Sequence, residues 1–368
     1  MSLLDRIRPE LAAFAPYASA RRSGFEARIR LDANECPWDL GEEGNFAAAD
    51  LNRYPSPQPA ELIAQLAALY DVDPARVWIG RGSDEAIDLL LRAFCRAGRD
   101  NVVSLAPTFG MYRIGTQLQG AAYRTLALSG QDNFAFDAEK LLALCDDDTK
   151  LVIVCSPNNP TGTLYHDERL AWLAERLAGR ALLLIDEAYI EFAGIASASN
   201  LIDRHPNVAV LRTLSKAHAL AGARVGALIA DAAIVDLVAR IAAPYPLPTS
   251  SMRAALAVLD EQARARTQKR VVTLLVERTR VATALAALAD VDTIWPSAAN
   301  FLLVRFADAQ STFARLLAAG ILVRDFSTQP GLANCLRITL GRPDENDALL
   351  DALRTGERER LNPAGGSP

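Results

Sequence analysis

Seven short apolar runs alternate with longer amphipathic stretches between residues 76 and 230, and this alternation limits the fold more than any other feature. The runs are "RVWIG" (76–80), "NVVSLA" (101–106), "AAYRTLAL" (121–128), "KLVIVCS" (150–156), "ALLLID" (181–186), "VAVLRTLS" (208–215) and "VGALIA" (225–230). Most are β-branched or leucine-rich with no polar face, the pattern of a strand covered on both sides. Between several of them lie helical patterns. "SDEAIDLLLRAFC" sets Ile87, Leu90, Leu91 and Phe94 at helical spacing, and "DERLAWLAERLA" (167–178) is of the same kind. The alternation predicts an α/β domain with a mainly parallel sheet flanked by helices on both faces.

After about residue 250 the texture changes. A long helical stretch, "SSMRAALAVLDEQARARTQKRVVTLLVERTRVATALAALA", is followed by three short strand-like runs, "NFLLVRF" (300–306), "GILVRD" (320–325) and "CLRITLG" (335–341), with the helical "AQSTFARLLAAG" between the first two. This predicts a smaller α+β domain. The expected division is an N-terminal arm over 1–30 packing with the small domain, a large domain over 31–250, the small domain over 251–356, and a disordered polar tail over 357–368.

Composition excludes several classes of function. The 368-residue chain carries a formal charge of −5, which argues against a nucleic-acid partner. No apolar run reaches the length of a membrane span, and "MSLLDRIRPELAAF" lacks the pattern of a signal peptide, so a cytoplasmic protein with no membrane partner is expected. Five scattered cysteines suit reduced core thiols, and the three histidines show no metal-ligand spacing, so no metal is expected.

In an open parallel sheet ligands bind beyond the carboxyl ends of the strands. At the first such end, "IGRGSDEAI", glycines turn the chain and a helix begins near Ser83 and Asp84, where free amides suit a phosphate. A Ser83 cap with acidic residues in the first turn explains the same residues without any ligand. A dinucleotide fingerprint fails, because Glu85 stands where the third glycine belongs. At the second, "VCSPNNPTG", Asn158 and Asn159 bring amides to the strand end, or simply form a tight turn. At the third, "ALLLIDEAYIEF", Asp186 closes a fully apolar strand. A carboxylate there needs a partner, such as a charged ring nitrogen, or else caps the next segment. Tyr189 follows with a phenolic hydroxyl.

The fourth is "RTLSKAHALAGARVGALIA" (212–230). Among 39 Lys plus Arg residues only Lys140, Lys150, Lys216 and Lys269 are lysines. A lysine amine deprotonates and becomes a nucleophile where arginine stays charged. Lys216 is therefore either a snorkelling surface lysine or a Schiff-base lysine. Thr213, Ser215 and Arg224 around it suit a phosphate dianion. An amine, a phosphate cradle, a carboxylate for a ring nitrogen and a donor for a ring oxygen together describe a site for pyridoxal phosphate, with Phe109 in "APTFGMY" to stack on the ring.

On these residues the chain resembles the fold-type-I pyridoxal-phosphate aminotransferases, and within them the histidinol-phosphate aminotransferase family. The resemblance runs from "YASARR" (17–22) to "CLRITLGRPDEN" (335–346) and includes "RLDANE", "NRYPSPQP", "APTFGMY", "CSPNNPTG", "DEAYIEF" and "RTLSKAHALAGARVG". It implies that Lys216 holds pyridoxal 5'-phosphate and moves a proton, that Asp186 pairs the ring nitrogen, and that Tyr189 and Asn159 bond the ring O3′. It gives the phosphate to the amides of Ser83 and Asp84 with Thr213, Ser215 and Arg224. Tyr54 would reach the cofactor of a neighbouring subunit, implying a homodimer with shared sites. Tyr17, Asn34, Asn159, Arg324 and Arg337 match substrate binders. The implied reaction is reversible amino transfer from L-histidinol phosphate to 2-oxoglutarate, giving imidazole acetol phosphate and glutamate, with ping-pong kinetics. The chain departs from the family at Phe109, often tyrosine, at His218, where an aromatic residue is expected, and at "NECPWDL", which loosens the match at Asn34. The same scaffold suits an aromatic amino-acid aminotransferase or a phosphothreonine-decarboxylase-like lyase. A transcription regulator of this ancestry would need a basic DNA-binding domain, and a match beginning by residue 17 predicts none.

Overall fold

A computed structural model describes residues 3–11, 14, 51–165 and 167–361. The seven apolar runs form one sheet: β1 (Val77–Arg81), β2 (Asn101–Ala106), β3 (Ala122–Ala127), β4 (Thr149–Cys155), β5 (Leu182–Asp186), β6 (Val208–Thr213) and β7 (Val225–Ala230), in the order β1-β7-β6-β5-β4-β2-β3. Strands β2 to β6 pair in parallel. β7 runs antiparallel to both its neighbours, β6 and β1. The mainly parallel α/β class is the one expected.

The helices are α1 (Ala60–Tyr70), α2 (Ser83–Phe94), α3 (Met111–Leu118), α4 (Ala138–Ala143), α5 (Asp167–Leu177), α6 (Ala232–Ile241), α7 (Thr249–Leu259), α8 (Glu261–Ala286), α9 (Ala309–Ala318) and α10 (Pro343–Leu361). Successive strand residues face opposite sides of the sheet. Val152, Val154, Leu183, Ile185 and Val210 join one core, with Leu62 and Leu66 of α1 and Leu170 and Leu173 of α5. Leu151, Ile153, Leu182, Leu184 and Leu211 join a second, with Leu90 and Phe94 of α2 and Leu237 of α6. Both faces are covered, which is why the central strands carry no polar alternation.

The later part of the chain builds an antiparallel sheet of β8 (Val291–Ile294), β9 (Phe301–Phe306), β10 (Arg324–Asp325) and β11 (Cys335–Thr339), ordered β10-β11-β9-β8. Three strands were expected. β8 was missed because "VDTI" is short and half polar. "GILVRD" is strand only at Arg324–Asp325, because β11 pairs with just those two residues, Arg324 opposite Arg337 and Asp325 opposite Leu336. α8 is capped by Asp260, whose Oδ1 accepts from the Ala263 amide at 2.9 Å, and it extends for about 39 Å. From α8, Arg278 Nη1 donates to the carbonyls of Phe192 (3.2 Å) and Ala299 (2.9 Å), pinning the small sheet beside the end of the large one. α10 carries helix through residues 357–361, into the expected tail; its "ERER" run is made of good helix formers. Among the described residues, no helix is long and apolar enough to cross a membrane.

Candidate active site

The carboxyl ends of β1, β2, β4, β5 and β6 share one rim, and β7, running the other way, begins there. The cleft at this rim is lined by Ser83, Asp84, Phe109, Cys155, Asn159, Asp186, Ala188, Tyr189, Thr213, Ser215, Lys216 and Arg224. Ten of the residues singled out in the sequence are thus brought together, although the first and last are separated by most of the large sheet in sequence.

One corner is built around glycine. β1 turns through Gly82 (φ +78°), which is the N-cap of α2 and offers no side chain to cap it. The Ser83 cap weighed from the sequence is not formed: Ser83 is the first helical residue, and among the described residues no side chain caps the amides of the first turn. A Cβ on Gly226 would lie 2.3 Å from the Ser83 nitrogen, so only glycine lets β7 run this close to the helix start. Arg224, in the left-handed region at φ 56°, reaches across this corner. Its Nη2 donates to Asp84 Oδ2 (3.0 Å) and its Nη1 to Ser215 Oγ (3.4 Å), while Thr213 Oγ1 donates to the same Ser215 Oγ at 3.0 Å. Two hydroxyls, a guanidinium and uncapped amides converge here. Glu85, which broke the dinucleotide pattern, ties back to β1 by accepting from the Arg81 amide at 2.7 Å.

Asp186, only 3% exposed, ends β5. Burial pushes its carboxyl above the usual carboxylate range, opposed by two donors, the Tyr112 hydroxyl and the Ala188 amide. Tyr112 donates to Oδ2 at 2.6 Å and Ala188 to Oδ1 at 3.1 Å. The local turn weighed from the sequence therefore exists, yet it occupies one oxygen only. Tyr189 is buried, its ring edge-on to Phe301 of β9 at 5.1 Å. Burial raises its phenol well above the ordinary value, so it remains a hydroxyl.

Lys216 lies in the turn after β6, its Nζ 5.5 Å from the centre of the Tyr189 ring. The residue is exposed to the open cleft, but the walls around its amine, and secondarily Arg337, lower its pKa below that of a free lysine. That shift favours the neutral, nucleophilic amine.

The two neighbouring asparagines divide their work. Asn158 is fully buried and spends its amide inside the scaffold: Nδ2 donates to the Pro107 carbonyl (3.0 Å) and to Thr161 Oγ1 (2.9 Å), and Oδ1 accepts from Thr108 (2.7 Å). It does not line the cleft. Asn159 does, and its Oδ1 accepts from Arg337 Nη1 at 2.5 Å. Asn158 also anchors the loop that carries Phe109, which packs edge-on against Tyr112 at 5.5 Å.

Not all expected residues gather at the cleft. Arg337 touches it through Asn159, and Arg324 stands directly opposite Arg337 on β10, exposed, lining a neighbouring hollow of the small sheet. Tyr54 lies apart, half-exposed and stacked on Tyr245 at 4.4 Å. Tyr17 and Asn34 lie outside the described residues. His218 is buried behind the lysine turn. Tyr112 and Cys155 were not expected at the site. Tyr112 lies on the inward side of α3 with Thr116, four residues on, and that helical spacing was the available signal.

The family model for aminotransferase class I and II matches residues 29–353. A histidinol-phosphate aminotransferase from Stenotrophomonas maltophilia is 46% identical over 353 residues, covering 95% of this chain and 96% of that protein. The chain belongs to the histidinol-phosphate aminotransferase family. Among solved structures, the histidinol-phosphate aminotransferase of Sinorhizobium meliloti in complex with pyridoxal-5'-phosphate matches with a TM-score of 0.77 at 28% identity, over 84% of each chain. An L-threonine-O-3-phosphate decarboxylase from Porphyromonas gingivalis, 22% identical with a TM-score of 0.71 over 84% of this chain and 91% of that one, shares the fold alone. This aminotransferase is thus a member of a pyridoxal-phosphate-dependent transaminase family. Its own residues fit that cofactor. The glycine corner leaves backbone amides open beside Ser215 and Arg224, and the buried Asp186 carboxylate retains acceptor capacity for a cationic ring nitrogen.

Proposed function

We propose that this chain carries out reversible amino transfer between L-histidinol phosphate and 2-oxoglutarate, giving imidazole acetol phosphate and glutamate, with pyridoxal phosphate held in the cleft described above. The observation that carries this reading is the 46% identity to a histidinol-phosphate aminotransferase along 95% of the chain.

Bound in the cleft, pyridoxal phosphate supplies an electron sink for the charge that develops on the amine-bearing carbon. The chain's residues do the rest. Lys216, with its lowered pKa, would hold the cofactor through its amine, and once freed that amine would take the proton from the substrate's amine-bearing carbon and hand it on as an acid. Asp186 would pair the ring nitrogen. Asn159 and Tyr189 would bond the ring hydroxyl, and Phe109 would supply an apolar wall for the ring. The first amides of α2, at Ser83 and Asp84, would hold the cofactor phosphate with Thr213, Ser215 and Arg224. Arg337 and Arg324 bind the substrate phosphate in one half-reaction and a 2-oxoglutarate carboxylate in the other, since guanidinium forks accept either anion. Tyr17 and Asn34 complete the substrate end.

The proposed division places the cofactor on a large domain (31–250) and the substrate arginines on a small one (251–356), with an arm over 1–30. We assign the chain to the cytoplasm and to a homodimer in which Tyr54 of each protomer serves the other's cofactor phosphate. A coupled assay tests the function. Turnover of histidinol phosphate with 2-oxoglutarate, by ping-pong kinetics and in preference to histidinol and phenylalanine, is expected. A kcat/KM higher for phenylalanine would replace this reading with an aromatic aminotransferase.

A further inference from the structure

We propose that Tyr112 is a positioning residue whose hydroxyl fixes both the charge and the aim of Asp186 toward the ring nitrogen of the cofactor. The proposal rests on the functional reading above, because it gives Asp186 that partner.

The two residues come from separate elements, the first turn of α3 and the end of β5, and their side chains meet with 0% and 3% exposure. The phenol oxygen lies 2.6 Å from Asp186 Oδ2, the short separation of an O–H donor on a charged acceptor. A phenol has a single proton to give. Burial raises Tyr112 well above its ordinary value, so that proton stays on the tyrosine and Asp186 is the acceptor of the pair. Burial alone would drive a carboxyl at this depth toward its neutral form. Tyr112 and the Ala188 amide oppose that, one on each oxygen.

The geometry also fixes direction. With Oδ1 held by the turn of its own strand and Oδ2 by α3, the carboxylate plane cannot rotate without breaking a bond. Tyr112 is itself immobilised. Its carbonyl accepts from Thr116 Oγ1 at 2.7 Å, Phe109 packs on its ring, and Cys155, which pairs with Asp186 in the β4–β5 register, lies beside its hydroxyl. The loop entering α3 and the helix's first turn therefore carry two things at once: the Phe109 ring that lines the cleft and the hydroxyl that sets the Asp186 carboxylate. A phenylalanine would fill the same space at no polar cost. The hydroxyl has a function that packing does not need.

The test uses the holoenzyme of wild type and Tyr112→Phe, loaded with ring-¹⁵N pyridoxal phosphate and compared by ¹⁵N NMR at neutral pH. The wild-type ring nitrogen is expected at its protonated shift, and the variant's moved toward the unprotonated shift, because a more basic Asp186 draws the shared proton to itself. kcat should fall about tenfold to a hundredfold, the worth of one hydrogen bond to a charged group, with KM unchanged. In the Asp186→Asn background the same substitution should have no further effect. If Tyr112→Phe does not fold, a fluorotyrosine series at position 112, graded in acidity at nearly constant volume, makes the same distinction. The nitrogen shift and kcat follow the phenol's acidity if the hydroxyl sets the charge, and stay still if the ring only fills space. Identical shifts in wild type and variant, or a wild-type nitrogen at its unprotonated value, overturn the proposal. A wild type that fails on histidinol phosphate yet shows the expected shifts overturns the substrate and leaves Tyr112 standing.

Discussion

Arg337 Nη1 donates to Asn159 Oδ1 across 2.5 Å, tying β11 of the small sheet to the loop after β4 of the large one. The guanidinium lies between the faces of Phe301 (5.2 Å) and Phe326 (5.3 Å), and its Nε is buried without a hydrogen-bond partner among the described residues. Rings and asparagine together hold the fork ready for an anion. Arg337→Ala is expected to lower kcat/KM for histidinol phosphate about tenfold to a hundredfold with the cofactor still bound, since Lys216 and the phosphate corner belong to the large sheet; loss of the guanidinium beside Lys216 should raise the pH at which the bound cofactor's absorbance changes. Arg337→Lys should recover little, because an ammonium lacks the planar fork. Steady-state kinetics and absorbance spectra check both.

Lys216 is expected to carry the cofactor covalently. Borohydride reduction followed by peptide mapping should place the label on the peptide that contains it. A label on Lys140, Lys150 or Lys269 would mean the cleft has been assigned wrongly.

Asp186→Asn separates function from stability. An amide cannot hold the ring nitrogen charged, so kcat should fall by about a hundredfold or more, in the range for loss of a preorganised charge, while the phosphate corner still retains cofactor. Without cofactor the effect reverses. The folded pKa of Asp186 is raised by burial, so the apo fold binds its proton more tightly than the unfolded chain does, and stability falls as pH rises through that range. The variant has no buried charge to strand, and its apo form should melt higher at neutral pH. An apo variant that melts lower would contradict the burial argument.

Glu187 gives the same sign without touching the site. It is 2% exposed, and burial, outweighing Arg212 beside it, pushes its carboxyl up to about 7 from an ordinary 4.5. Its contribution to stability is present below pH 4.5 and is lost as pH rises toward 7. The loss approaches about 1.4 kcal/mol per pH unit within that window. Glu187→Gln should flatten the slope, as urea unfolding at the two ends of the window would register.

The proposed shared-site dimer makes a complementation prediction. Mixing Tyr54→Phe chains with Lys216→Ala chains should restore one fully active site in each heterodimer. There the protomer with an intact Lys216 receives the intact Tyr54 of its partner, and the other site lacks the lysine and receives the phenylalanine. Failure to recover any wild-type site on mixing would mean that Tyr54 serves its own chain's cofactor.

The sequence exposed what rests on local pattern and hid what rests on pairing across the chain. The central strands were legible because a strand covered on both faces is almost wholly apolar; the edge strand β3, largely exposed, was legible from its place in the alternation. Lys216 stood out because the chain otherwise avoids lysine. Asn158 and Asn159 could not be told apart, since only the folded loop shows which amide turns inward to Pro107 and Thr161. Tyr112 looked like any apolar helix position; its partner is 74 residues away. Arg324 and Arg337 became neighbours only through the β10–β11 register. The reversed direction of β7 had a signal that went unused. Residues 214–224 are too few for the helical crossover that a parallel neighbour requires.

That reversal has a consequence for how the gene can change. Because β7 returns directly beside β6, the lysine at 216 and the arginine at 224 ride on one loop clamped at both ends by the paired residues Thr213 and Gly226. Adding or deleting a codon there would shift the amine relative to the guanidinium and misplace both. The opposite edge of the sheet, where residues 119–121 and 178–181 join helices to strands away from the cleft, bears no such constraint. Length variation among functional descendants of this gene should therefore collect at those connections, and the stretch from 213 to 226 should keep its length even where its letters change.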